Sequence, residues 1–411
     1  MLPSNAPTTG AAAAASAAGR RVWIEELRLT NFRNHTGLAL SVGPGLIVLT
    51  GPNGSGKTNL LEAVSLLTAG QGLRRAPYPE LTRIGATDWA VAATVQTLLG
   101  PSRIGTGLQR PPGARSGRSV RIDGENQSGS GALAARIDIL WLTPAMDGLF
   151  TGPASERRRF LDRIIPSFDP GYRTRLGQFE RAMQQRNRLL AEDVREPARF
   201  AGLERIMAET GVAIAAARAT AVTELAAIVE ARHRASPESC FPWATLAITG
   251  VIETELASRP AVEVEGAYAA LLQSSRERDR AAGRTLDGPH RSDLVVGHGP
   301  NGMPASACST GEQKTLLVGL VLAHADLVRR HRSGAAPILL LDEIGAHLDQ
   351  LRRAALIEEI EALDNQTWIT GTDAEAFSGL AGKAQFHCVE GGRIAPLAER
   401  RSGSQSISIT F

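Results

Sequence analysis

From Val22 the run VWIEELRLTNFRNHTGLALSVGPGLIVLTG places apolar residues at alternating positions and predicts two or three strands. Gly43, Pro44 and Gly45 punctuate it with a turn. LIVLT, from Leu46 to Thr50, abandons the alternation for a short apolar run, as suits a strand buried on both faces. After Lys57 the period changes again: Leu60, Leu61, Val64, Leu66 and Leu67 recur at helical spacing. Residues 89–150 read mostly as strand and loop, with a second buried strand in IDILWLTP, residues 137–144. Residues 100–131 are rich in Gly, Ser, Arg and Pro and predict a mobile hairpin or loop.

The texture shifts near Thr151. Residues 155–234 are rich in Ala, Leu, Arg and Glu with few glycines, and predict long helices. A short strand-like piece, WATLAIT, follows, then a helix over residues 267–282. Strands return from Arg284, with a helix after Ser309, a strand in PILLLDE, a helix after Asp349, a strand in TWITGTD and a terminal hairpin. The two ends therefore read as halves of one α/β domain split in sequence by a mainly helical insertion. The expected boundaries are a disordered tail at 1–20, the first half of the head at 21–150, an inserted arm at 151–285 and the second half of the head at 286–411.

Composition removes several classes. No run of about 18 consecutive apolar residues occurs, so a membrane span is not expected. Cys240, Cys308 and Cys388 are scattered and odd in number, which suits neither a disulfide framework nor a metal cluster and fits a reducing cytoplasm. The first 20 residues lack the basic start and apolar centre of a secretory signal. The formal net charge is +3, and arginine supplies nearly all the cations, with lysine only at positions 57, 314 and 383. Residues 157–205 hold twelve arginines against seven acidic residues. Such a surface is either a solvated helical face or a nucleic-acid face, and the sequence leaves both open. Arg157, Arg158 and Arg159 fall about 100° apart on a helix, so they cannot share one face, and pairing with Glu156 or Asp162 is expected for at least one.

Two stretches carry chemistry directly. Gly51-Pro52-Asn53-Gly54-Ser55-Gly56-Lys57-Thr58 fits G-x-x-x-x-G-K-[ST] and lies between a buried strand and a helix, where a phosphate loop must lie. Its glycines let backbone N–H groups turn inward on an anion, and the helix N-terminus adds positive potential. Lys57 is placed to reach the β- and γ-phosphates of ATP, and the Thr58 hydroxyl to bind Mg2+. In Ile338-Leu339-Leu340-Leu341-Asp342-Glu343, four apolar residues deliver two carboxylates to the end of a buried strand. Asp342 can hold Mg2+ through water, and Glu343 can polarise an attacking water as general base. Glu343, Asp342 and Lys57 are thus the candidate catalytic residues, with Thr58 and Asp342 as the candidate metal site.

A third stretch, Cys308-Ser309-Thr310-Gly311-Glu312-Gln313-Lys314, is by itself a helix N-cap. Its position between the phosphate loop and the acidic strand resembles the ATP-binding-cassette (ABC) ATPases. In that family the Ser-x-Gly turn caps the γ-phosphate held by a second subunit. More specifically, the chain resembles the RecF family, bacterial recombination-mediator ATPases in the SMC-like branch of the cassette proteins. The resemblance covers residues 22–390 and rests on LTNFRNH, GPNGSGKTNLLEAV, GPASERRRFLDR, QQRNRLL, GPHRSDL, CSTGEQKTLL and PILLLDEIGAHLD.

The resemblance implies an ABC-type ATPase head with a helical arm. It implies that Ser309 and Gly311 cap the ATP of a partner subunit, and that Asp349 occupies the D-loop position and contacts the partner. Arg33 and Asn34 resemble residues near the nucleotide in SMC-like heads. The implied role is in DNA repair and replication, with the SOS response to DNA damage: an ATP-dependent homodimer that binds duplex DNA or a duplex at a single-strand junction. It would promote RecA loading at gaps, with RecR and RecO as partners, and slow DNA-stimulated hydrolysis would reset it. Cassette transporters carry a Gln and a switch His where this chain reads LTPAMDG (142–148) and TGTDAE (370–375); His347 lies in the D-loop stretch instead. Those departures point away from a transporter subunit, one rival reading. The other rival is an SMC-like subunit of a defence or nuclease complex. Lys314, in the first turn after Ser-x-Gly, is expected to belong to the nucleotide machinery.

Overall fold

The computed structural model describes residues 21–109, 117–237, 241–344 and 350–397; the predicted tail at 1–20, Cys240, His347 and Asp349 lie outside them. The chain divides into two compact units, one made of residues 1–144 and 334–411 and the other of residues 145–333. The second begins close to the expected arm boundary but extends well past residue 285.

In the first unit the chain forms β1 (Trp23–Phe32), β2 (His35–Ser41), β3 (Leu46–Thr50) and α1 (Lys57–Ser65). It continues through β4 (Trp89–Thr97), β5 (Gly100–Gln109), β6 (Gly117–Ile122), β7 (Glu125–Asn126) and β8 (Ile139–Leu142). The second unit supplies α2 (Ala154–Ile164), α3 (Tyr172–Ala191), α4 (Pro197–Ala235), β9 (Ala244–Thr249) and α5 (Val251–Leu256). It closes with α6 (Ala261–Ser274), α7 (Arg276–Ala282), β10 (Asp293–His298) and α8 (Thr310–His331). The chain then returns to the first unit with β11 (Ile338–Leu341), α9 (Gln350–Ala362), β12 (Thr367–Gly371), β13 (Ala384–Glu390) and β14 (Arg393–Pro396).

Two six-stranded sheets build the first unit. One is antiparallel, in the order β2-β1-β4-β5-β6-β7; the other runs β14-β13-β3-β12-β11-β8. In the second, β13, β3, β12, β11 and β8 are parallel, so their C-terminal ends gather at one edge. Strands β3 and β11 need no alternation, because every residue in them is buried. Leu60, Leu61 and Val64 of α1 pack with Ile47, Leu49, Leu340 and Trp368 and with Leu27, Leu29 and Val91 of the antiparallel sheet. That shared core fixes the helix after the phosphate loop between two rigid layers.

Of the two forms expected for the glycine-rich stretch, hairpin or loop, the structure has the hairpin, with β5 paired antiparallel to β6. Ser102, Ile104, Thr106 and Leu108 alternate inward along β5. Its glycines have a packing reason at Gly107, where an added Cβ would sit 2.6 Å from the Trp89 carbonyl oxygen of the neighbouring strand.

The second unit has its own core, in which Phe179, Met207, Ile214, Tyr268 and Leu272 are buried together. Helix α4 runs for 39 residues. It is the one described helix long and apolar enough to cross a membrane on length and composition, and half of its apolar window is buried. Its apolar face belongs to this core, and α8 and β9 pack on it as well. Those contacts, with β10 paired to β9, place the Ser309 helix in the second unit rather than with the second half of the head.

Arginine holds this unit together. Arg157 makes a two-pronged ion pair with Asp293, Nε to Oδ1 at 2.7 Å and Nη2 to Oδ2 at 2.8 Å. Arg158 donates to the Ser292 carbonyl at 2.7 Å. Arg218, buried, donates to both carboxylate oxygens of Asp162 and to the Pro289 carbonyl, and Tyr172 donates to Asp162 as well. The SERRRFLD and GPHRSDL motifs therefore grip one another. The fully buried Arg186 donates to Glu204 at 3.1 Å, Asp279 at 2.7 Å, Thr285 at 2.8 Å and the Leu272 carbonyl at 2.7 Å. Each buried charge here has counter-charges and hydrogen bonds, the condition under which burial is tolerated. Of the arginine triplet, Arg159 takes the expected Glu156 as its partner and stays half exposed.

Candidate functional site

The phosphate loop leaves β3 at Thr50, and its shape depends on two glycines. Gly51 has φ +146°, and a Cβ there would lie 2.1 Å from the Val389 carbonyl oxygen of β13. Gly56 has φ +114°, and a Cβ there would lie 2.6 Å from the Asn34 amide nitrogen. Any side chain at either position would displace a neighbouring strand or turn. Pro52, Asn53 and Gly54 are exposed at the tip. Helix α1 opens with no side-chain cap and no acidic residue in its first turn, so its N–H groups are left for an anion. The Ser55 hydroxyl is buried without a hydrogen-bond partner. An orphaned hydroxyl beside an uncapped helix N-terminus is what a bound phosphate would satisfy.

Lys57 is buried, and its ammonium donates to the Gly51 carbonyl at 2.6 Å and to the Pro52 carbonyl at 3.0 Å. Burial pulls its pKa below the ordinary lysine value, while the charges of Glu343 and Asp342 oppose the fall. The two carboxylates at the end of β11 therefore lie close enough to act on the loop lysine.

Strand register brings them there. Strand β12 lies between β3 and β11, pairing Thr370 with Leu49 and Ile369 with Leu341. Asp342 accepts a hydrogen bond from the Thr58 hydroxyl at 3.0 Å, closing a separation of 284 residues. Glu343 turns away from the strand with φ +51°. Thr58 and Asp342 present adjacent hard oxygen donors. No group of three or more His, Cys, Asp or Glu that could hold a metal occurs among the described residues. That donor set fits Mg2+, which takes one or two carboxylates and completes its shell with water and phosphate oxygens.

The turn between β1 and β2 braces the loop. Asn34 donates to the Ser55 carbonyl at 3.1 Å and accepts from Asn59 at 2.8 Å. Arg33 does not face the loop with it. Its guanidinium is held by both oxygens of the buried Glu62 at 2.8 Å, and that hydrogen-bonded pairing raises its pKa. Arg33 thus ties the turn to α1.

Ser309 is exposed at the N-terminus of α8 in the second unit, where it forms a capping box with Glu312. Its hydroxyl donates to Glu312 Oε2 at 2.8 Å, and Gly311 follows in the first turn. Lys314 does not share that exposure. It is buried, with its ammonium 3.6 Å from Asp147 Oδ2. Residues 313–318 are buried without a break, so Lys314 lies inside the second unit, paired with Asp147 and not displayed beside Ser309. Lys383 pairs with Glu361 on the surface of the first unit. Thr370, buried and bonded to the Asp342 carboxylate and the Glu343 backbone N–H, is the residue that sequence reading missed. It opens the stretch TGTDAE, in which no neighbouring residue signals its contacts.

Known proteins agree with this architecture. Residues 23–385 match the family described as the RecF/RecN/SMC N terminal domain. The chain is 52% identical over 374 residues to the DNA replication and repair protein RecF of Mesorhizobium japonicum, covering 91% of this chain and 97% of that protein. It is 50% identical over 375 residues to its counterpart in Rhizobium etli, covering 91% and 99%. Among solved structures, the recombination mediator protein RecF-ATPrS in the RecFOR pathway superposes with TM-score 0.81 at 22% identity, covering 92% of this chain and 98% of that one. The Smc head domain of Pyrococcus furiosus superposes with TM-score 0.53 at 16% identity, covering 92% and 96%. These likenesses show the fold: a cassette-type head whose sequence is interrupted by a helical insertion.

Proposed function

The chain belongs to the RecF family, and from that premise we propose that it is an ATP-dependent DNA-binding protein of recombinational repair and replication. The observation that carries the reading is the approach of Thr58 to Asp342 beside the buried Lys57. ATP binds with its phosphates in the loop of residues 51–58. Thr58 and Asp342 would hold Mg2+, which would supply neutralisation of the phosphate charge. Glu343 accepts the proton of the attacking water as general base.

Ser309, exposed, and Gly311, half-buried, lie in the other unit and cap the γ-phosphate held by a second copy. Asp349 contacts that copy. ATP thus joins two copies and hydrolysis releases them, a timer rather than a motor. DNA that prefers the joined state must by linkage tighten ATP binding. Hydrolysis is slow and DNA-stimulated, in a cytoplasmic protein that loads RecA at gaps with RecR and RecO. The names of the relatives and the RecFOR pathway of the structural neighbour support this setting.

Because Arg157, Arg158, Arg186 and Arg218 are committed inside the second unit, the DNA surface falls to solvent-facing arginines such as Arg181 and Arg199. They read phosphates rather than bases, so binding is steeply salt-dependent and weakly sequence-dependent. The test is a titration with duplex, single-stranded and gapped DNA, with and without ATP. Tighter binding of duplex or gapped DNA in ATP supports the reading; ATP-independent binding to single strands alone contradicts it.

A further inference from the structure

Thr370 is the penultimate residue of β12, the strand that separates the phosphate-loop strand from the acidic strand, and it is fully buried. A threonine hydroxyl has one proton to donate and lone pairs to accept with. Here the proton goes to Asp342 Oδ1 at 2.8 Å. The Thr370 hydroxyl oxygen in turn accepts the backbone N–H of Glu343 at 2.9 Å. One side-chain atom thus holds the carboxylate of one acidic residue and the main chain of the next.

The second bond answers a local need. Strand β11 ends at Leu341, and the Asp342 N–H still donates to the Leu142 carbonyl of β8 at 2.9 Å. Glu343 then adopts φ +51°, a left-handed conformation that side-chain-bearing residues seldom take. That turn carries its N–H off the ladder and toward β12, where the Thr370 oxygen receives it.

The first bond is shared. Asp342 Oδ1 also accepts from Thr58 at 3.0 Å. In the proposed reading the Thr58 hydroxyl serves Mg2+ when nucleotide binds. Thr370 is then the hydroxyl that remains on Asp342.

We infer that Thr370 is a positioning residue for ATP hydrolysis, setting the metal-side carboxylate of Asp342 and the general base Glu343 together through one hydroxyl. This rests on the proposed roles of Asp342 and Glu343. Thr370 itself need not touch nucleotide, so its loss affects turnover more than ATP binding.

The experiment compares the full-length chain with Thr370→Val, Thr370→Ala, Thr370→Ser and Glu343→Gln. It measures kcat and KM for ATP with Mg2+, and Mn2+ affinity by electron paramagnetic resonance in a non-hydrolysable ATP analogue. Thermal melts identify any variant that does not fold, and the alanine variant stands in if valine does not. Loss of an outer-shell hydroxyl predicts a fall in kcat of about 10- to 100-fold, with weaker Mn2+ binding. KM should move less than about threefold, and Thr370→Ser should restore most of the rate by restoring both bonds. Wild-type kcat and Mn2+ affinity in folded Thr370→Val or Thr370→Ala, with Glu343→Gln inactive, overturn the role of Thr370 and leave that of Glu343 standing. Wild-type turnover by Glu343→Gln overturns the underlying reading instead. A Thr370→Ser variant as slow as Thr370→Val also overturns the proposal, since packing and not the hydroxyl would then be the cause.

Discussion

Arg157 and Asp293 lie 136 residues apart in sequence and meet through two parallel hydrogen bonds, at 2.7 and 2.8 Å. The first arginine of the basic triplet is therefore a brace between α2 and β10, mostly buried, and not a free hand for DNA. Arg157→Ala leaves Asp293 without its partner. Loss of a partly buried, bidentate pair should cost about 2–3 kcal/mol, below the fully buried case because Asp293 retains some water. Urea unfolding of the full-length chain should show that loss. DNA affinity, measured below the onset of unfolding, should stay within about threefold of wild type, since no phosphate contact is removed. Lost DNA binding at unchanged stability would contradict the assignment.

Lys57 and Lys314 are both buried, with different neighbours. The first sits on loop carbonyls under the influence of two carboxylates, and the second pairs with Asp147. Lys314→Met should lower stability by about 1–2 kcal/mol, a modest figure because Asp147 is partly solvated. Its ATP affinity by equilibrium dialysis should match wild type. A large drop in ATP affinity would return Lys314 to the nucleotide site.

His324 lies in the interior of α8, fully buried, with Nε2 lacking a hydrogen-bond partner. Burial, helped by the positive charge of Arg163, pushes its pKa down to about 3. In the unfolded chain a histidine titrates near 6.5. Between those values the unfolded state binds the proton and the folded state does not, so stability falls as pH falls from about 6.5 toward 3. The slope from this one group is at most about 1.4 kcal/mol per pH unit. Urea unfolding at pH 7.5 and pH 5.5 should therefore show a larger acid loss for wild type than for His324→Leu, which has no proton to take up. Equal losses would contradict a neutral buried His324.

Ser309 is exposed and engaged only with its own capping box. Ser309→Arg should leave ATP affinity intact while blocking ATP-dependent dimers and reducing hydrolysis to background. The capping loss itself should cost about 1 kcal/mol of stability. Normal hydrolysis by this variant would show that the serine does not cap a partner's phosphate.

The legible parts of the site were the local ones. The phosphate loop, Asp342 and Glu343 could be read because each depends on a few consecutive residues whose spacing sets their geometry. Thr370 could not, because its role exists only in the register of β12 against β11 and β3. Arg33 and Asn34 are sequence neighbours with opposite fates, and only the buried Glu62 on α1 separates them. Lys314 misled for a related reason: its position three residues after Gly311 says nothing about whether Asp147 lies beneath it. In the fold, β3, β8 and β11 were visible as apolar runs. The reach of the second unit past residue 285 was hidden because the β9–β10 pairing is non-local.

Light scattering of Lys57→Ala in the presence of ATP and Mg2+ tests the central claim, that nucleotide in the phosphate loop joins two copies of the chain. Lys57 is the one described lysine on that loop, and its removal takes away the cation that meets the phosphates without touching Ser309 or the second unit. The wild-type chain should shift from monomer to dimer mass on adding ATP, and Lys57→Ala should remain at monomer mass. A Lys57→Ala chain that dimerises with ATP as wild type does would contradict the account.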